Sequence, residues 1–227
     1  MTEEIVKRTL DLVVLGFNAG SIEDFEKGIE KKKKLEEKSF KSGKKEFFQP
    51  PNGPQIPITY VISNDHLLKI KYSLMEQKLT ITQDDYHGSN FDYDKDILDI
   101  LPSILTLSAP TSFFAFGINY STDILRDDRI TLFNSNIDEQ LGKDFWSTNI
   151  GFNTEIAFQV EDYISTYRIF KNEQLSNKEN GRYYTFNVNY NFELKEDNNA
   201  EKIVDIFKKN KHYYDLYIEK MESILKL

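Results

Sequence analysis

"YYTFNVNYNFEL" runs from Tyr183 to Leu194, and its alternation points to the architecture. Even positions carry Tyr184, Phe186, Val188, Tyr190, Phe192 and Leu194; odd positions carry Thr185, Asn187, Asn189, Asn191 and Glu193. Successive side chains of a strand point to opposite faces, so this is a strand with one core face and one polar face. "FFAFGINYSTDI" (Phe113–Ile124) and "FWSTNIGFNTEI" (Phe145–Ile156) follow the same template. Long strands half-buried in this way belong to antiparallel sheets, which commonly leave one face in water.

The runs "RITLF" (129–133) and "YISTYRIF" (163–170) read as return strands. In a simple meander the three long strands then point the same way. Asp123, Glu155 and Glu193 line up along one edge at spacings of roughly 10 Å. Carboxylates that far apart cannot share one ion, because metal–oxygen bonds are only ~2.0–2.6 Å long. The pattern instead marks Asn119, Asp123, Asn153, Glu155, Asn189 and Glu193 as a polar sheet face suited to meeting another protein.

Working outward, Thr9–Asn18 is rich in Leu and Val and reads as a first strand ending near Gly16. Ser21, with Asp24 three residues on, caps a helix running to about Lys38. Residues 41–57 carry the Pro/Gly punctuation of a loop, so about 19–55 is a charged helical and loop excursion. "ITYVI" (58–62), "LLKIKYSLM" (67–75) and "KLTITQ" (78–83) are close enough to be hairpin-connected strands. "DKDILDILPSILTL" (94–107) is apolar nearly all round and reads as a buried helix capped by Asp92 or Asp94, with Pro102 kinking or restarting it.

A last helix spans about Ala200–Leu227. Ile203, Phe207, Asn210, Tyr214, Tyr217, Met221 and Ile224 repeat at alternating spacings of four and three, a heptad seam with one polar member. Such a seam packs on its own sheet, or pairs with a second copy with Asn210 fixing the register. Tyrosines pack poorly in a coiled coil, and short helices gain most of their stability from tertiary contacts, which favours the first. Phe207, Asn210, Tyr214, Tyr217 and Met221 are the interface residues of the second.

With 227 residues, 39% of them hydrophobic, the chain can bury a real core. A net charge of −8 disfavours nucleic acid as partner. No cysteine means no disulfide, thiolate metal site or thiol nucleophile. The opening "MTEEIVKRTLDLVVLGF" lacks the basic start and long apolar core of a signal peptide, and no stretch approaches the ~20 apolar residues of a membrane span. The expectation is a cytoplasmic protein that meets no membrane.

Motifs for chemistry are thin. Asp92, Asp94 and Asp96 open like a calcium loop, but its required Gly and Glu positions hold Ile97 and Ser103. Neither His66, His87 nor His212 has a second histidine at helical ligand spacing, and "QDDYHG" (83–88) reads as a polar turn. Asp65 with Glu76-x-Lys78 has the composition of a metal-dependent nuclease, two carboxylates for the ion and a lysine for the transition state. A Glu-x-Lys is nearly unavoidable in a chain this rich in both, and Glu76–Gln77 looks like a turn.

The sequence therefore predicts one α+β domain over 1–227: a large, mostly antiparallel meander-type sheet packed by a buried middle helix and a long C-terminal helix. The functional expectation is a non-enzymatic protein-binding module, an adaptor, inhibitor or chaperone-like protein, with no cofactor and no metal. The alternatives are a metal-dependent hydrolase or nuclease using Asp65, Glu76 and Lys78, and a structural homo-oligomer built through the C-terminal helix.

Overall fold

The computed structural model describes residues 4–51, 53–86, 92–108, 113–125, 146–149, 153–160, 163–171, 183–195 and 199–225. Within them the chain runs β1 (Glu4–Leu15), α1 (Ile22–Glu30), α2 (Lys33–Glu37), β2 (Lys44–Phe48), β3 (Ile56–Ser63), β4 (Leu68–Ser73), β5 (Lys78–Asp84) and α3 (Asp92–Leu105). It continues β6 (Ala115–Leu125), β7 (Trp146–Asn149), β8 (Asn153–Val160), β9 (Tyr163–Lys171), β10 (Tyr183–Glu193), α4 (Asn199–Lys208) and α5 (Asn210–Leu225). The strands form one sheet in the order β2-β3-β4-β5-β1-β6-β10-β9-β8-β7, antiparallel at every joint. This is the α+β architecture that the alternating stretches predict.

The order is palindromic. One half starts with β1, leaves for the edge, returns through β2-β3-β4-β5 to pair β5 with β1, and ends in α3. The other starts with β6, returns through β7-β8-β9-β10 to pair β10 with β6, and ends in α4. The halves join where β1 meets β6, with Asp11 opposite Asn119, so the strand order is two-fold about that joint. The closing helices carry the match in sequence: "ILDIL" (Ile97–Leu101) in α3 answers "IVDIF" (Ile203–Phe207) in α4. Ile97 and Leu101, like Ile203 and Phe207, are buried, and α3 and α4 touch each other.

The repeat is thus not among the three look-alike stretches. β6 and β10 are direct antiparallel neighbours, so they do not point the same way. The middle stretch is not one strand: it breaks after Asn149 into β7 and β8, which pair with each other. Asn149 and Gly151, both turn formers, were the legible signal of that break. The return strand at 129–133 lies outside the described residues.

The core lies on the face of Leu10, Leu12, Val14, Phe116, Ile118, Tyr120, Val188, Tyr190 and Phe192, which share rows across β1, β6 and β10. Helix α1 begins with a capping box in which Ser21 Oγ accepts the Asp24 amide while Asp24 accepts the Ser21 amide. Its Phe25 lies 4.8 Å from the Tyr72 ring and 6.0 Å from Tyr60, over β4 and β3. β1 ends at Gly16, whose φ of 81° turns the chain into the connection to α1. β2 is an edge strand that the Pro/Gly reading of 41–57 concealed.

The C-terminal segment divides at Lys209 into α4 and α5 rather than forming one long helix. The Tyr120 hydroxyl lies 2.5 Å from Asn210 Oδ1 and 3.0 Å from the Asn210 carbonyl oxygen. The Lys209 amide donates to Ile206 three residues back, tightening the turn. From there α5 stacks Tyr217 on Tyr120 at 5.2 Å and on Phe186 at 5.6 Å. No described helix is long and apolar enough to cross a membrane.

Candidate functional site

Asn210 is 1% exposed and holds three elements together. Its Nδ2 lies 2.8 Å from the Tyr86 hydroxyl and within 3.1 Å of both Asp94 carboxylate oxygens, while its Oδ1 accepts from Tyr120. Asp94 sits in the first turn of α3 and also accepts from Tyr86 at 2.9 Å, so it is a clamp to α5 and not the helix cap the sequence suggests. Burial lifts the Asp94 carboxyl above its ordinary value, against the bonds from Asn210 and Tyr86. Burial, and then the Asp94 charge, pushes the Tyr86 phenol up. Phe207, Tyr214, Tyr217 and Met221 are buried beside Asn210, and Arg8 Nη1 reaches over to donate to Tyr214 at 2.9 Å. The seam offered for pairing with a second copy is consumed inside the molecule.

The proposed metal site does not assemble. Asp65 lies in the β3–β4 turn and Glu76 in the β4–β5 turn, at opposite ends of β4. Six strand residues span about 20 Å, far beyond a shared ion. Asp65 pairs with Lys41, and Lys78 turns back to Glu76 at 2.5 Å. Among the described residues no group of three His, Asp or Glu side chains could hold a metal; His87 lies outside them.

What remains is the opposite face of the sheet. Among the described residues every helix buries its apolar side on the core face, and none lies on this one. Its central row, read across the sheet, is Ser63, Lys69, Thr82, Asp11, Asn119, Asn189, Thr166 and Ala157. Asn119 and Asn189 are directly opposed, beside the two-fold centre. Both amides converge over Gly117, where an added Cβ would come 3.4 Å from Asn189 Oδ1 and 3.8 Å from Asn119 Nδ2. Asn189 Oδ1 is buried and has no hydrogen-bond partner among the described residues. Thr82 donates to Asp11 at 2.5 Å; burial nonetheless pushes the Asp11 carboxyl up.

The other residues that the sequence marks are dispersed over this face. Asp123 stands opposite Thr185, which donates to it at 2.5 Å; Glu193 stands opposite Ala115. Because β6 and β10 are antiparallel, those two acids lie eight residues apart along β10, roughly 27 Å, and not side by side along one edge. Asn153 and Glu155 occupy β8 positions opposite Phe170 and Arg168, in the Asp123 and Ser121 rows respectively. Lys71 and Arg168, both exposed, lie five strand spacings apart across the sheet and four residues apart along it, roughly 28 Å in all. The sequence reading missed Asp11, Thr82 and Lys71. Their signal was there, polar residues two apart in "TLDL" (9–12), "KIK" (69–71) and "KLTIT" (78–82), but nothing in it says which strands are neighbours.

A surface cavity of about 280 Å³ lies apart from this face, between α1, α2 and β3, floored by Ile29, Leu35, Phe40 and Tyr60. No protein-family model matches the chain, and no curated protein matches its sequence.

Proposed function

We propose that the protein is a non-enzymatic binding module whose partner, another protein, lies on the helix-free face of the sheet. The carrying observation is the asymmetry of the faces: one is sealed by helices, the other presents the Asp11–Asn119–Asn189 row with no described helix above it. Size argues for a macromolecule. Nine strand spacings by about seven residue rows come to roughly 43 by 24 Å, or about 1,000 Å². A standard protein interface takes about 800 Å² per partner, whereas a small ligand needs a deep concave pocket. The centre is carboxyl, amide and hydroxyl (Asp11, Asn119, Asn189, Thr82) rather than basic, which suits a protein surface better than a phosphate backbone.

The test is capture of a partner from the native host in stoichiometric amount, with Asn119→Lys and Asn189→Lys as controls. The expected result is a complex that these substitutions weaken while the urea midpoint stays where it was. A complex indifferent to both, or no stoichiometric partner at all, would overturn the reading.

A further inference from the structure

Among the described residues β2 pairs on one side only, with β3, and no described strand takes its other backbone edge. Natural edges are guarded by charge, brevity or cover, because free N–H and C=O groups template another strand. Here the guard is partial. Phe47 is 52% exposed and Phe48 47%; Ile56, which stands opposite Phe48, is 44% exposed. Met75, 70% exposed, adds to the same end of the sheet, in the turn whose Leu74 amide donates to Ile58 of β3. A bulge between Glu46 and Phe47 turns this apolar corner, and Pro50 and Pro51 stop the strand just beyond it.

The charges along β2 choose the occupant. Lys45 is held by Glu26 at 2.6 Å, and Glu46 lies 4.0 Å from Lys71. Lys44 is exposed and makes no ion pair among the described residues. A second copy fits this edge badly. Antiparallel pairing centred on Glu46 sets the two Glu46 carboxylates against each other and each lysine against a phenylalanine. Moving the centre to between Lys45 and Glu46 matches charges that Glu26 and Lys71 already neutralise and leaves Lys44 against Phe47. We propose that β2 is a strand-addition site for a short extended segment of another protein, with apolar side chains against Phe47 and Phe48 and an acidic residue opposite Lys44. Backbone bonds to the free edge supply affinity, and those side chains supply selectivity.

A display library of random twelve-residue peptides, selected against the intact chain, tests this directly. Enriched peptides should alternate apolar residues with at least one acid and should protect the amides of residues 44–48 from hydrogen exchange. Phe47→Ser with Phe48→Ser should weaken them about tenfold or more, with Phe48→Ser alone as the milder version should the double variant unfold. Asn119→Lys should leave them unaffected, so this site and the helix-free face fail or succeed separately. Failure to enrich peptides, or peptides that bind the serine variants equally well, would overturn the proposal. So would a dimer in sedimentation that the double variant dissolves, since the occupant would then be a second copy.

Discussion

The two faces of this sheet share strands, register and backbone bonds, yet they are built from opposite materials. On one, Tyr120 packs against Tyr190, and Tyr217 of α5 stacks on Tyr120 and Phe186 from above. On the other, one residue along each strand, Asp11, Asn119, Asn189 and Thr166 form a polar row that no described helix covers. Stability and recognition are therefore separable here: substitutions on the first face should unfold the chain, and substitutions on the second should spare it.

The largest effect is expected from Tyr217→Ala. It empties a fully buried ring site and strips Thr122 of its hydroxyl partner, so urea denaturation should show a loss of about 3–5 kcal/mol. Asn210→Ala should cost about 2–3 kcal/mol, more than an ordinary polar truncation, because Asp94, Tyr86 and Tyr120 each lose a partner inside the protein. A loss below about 0.5 kcal/mol would mean that water satisfies the clamp and that the α4–α5 break has another cause.

Asp11→Asn should act in the other direction. Burial raises the Asp11 carboxyl in the folded chain above its unfolded value. A raised acid contributes stability that is present below the unfolded value and lost as the pH climbs through the folded one. The variant is spared that loss, so it should be more stable than the parent at pH 7. The gap should close as the pH falls below about 3.8, the ordinary value of the group. Urea midpoints taken from pH 7 to pH 3 read it directly, and a gap that widens on acidification would show the sign to be wrong. The smallest effect on stability, within about 0.5 kcal/mol, is expected from Asn119→Lys, the substitution expected to matter most for binding. Glu76→Ala should leave the urea midpoint within the same margin, since its Lys78 pair is largely solvent-exposed, and should alter no Mg²⁺ dependence, since among the described residues no group of carboxylates could hold the ion.

Much of this was legible in the residues. Alternation in Thr9–Leu15, Lys78–Gln83 and Tyr183–Glu193 assigns strands and faces with no knowledge of neighbours, because side-chain direction is a local property of an extended backbone. The capping box at Ser21 and the buried middle helix are local in the same sense. The polar face was legible through Asn119 and Asn189, which share a row, but not through Asp123 and Glu193, which lie at opposite ends.

Which strands pair is a different kind of fact. The sequence by itself determined most of the strands, though not β2 or the β7–β8 break, together with their buried sides and the apolar faces of the helices. Only the tertiary structure decided that β6 lies between β1 and β10, that the sheet is two matching halves, that Asn210 faces inward and that β2 ends at an open edge. The physical reason is that pairing is settled by contacts between residues far apart in the chain. Many strands here present interchangeable aliphatic and aromatic faces, so local pattern cannot choose among partners; the joint packing of sheet and helices does.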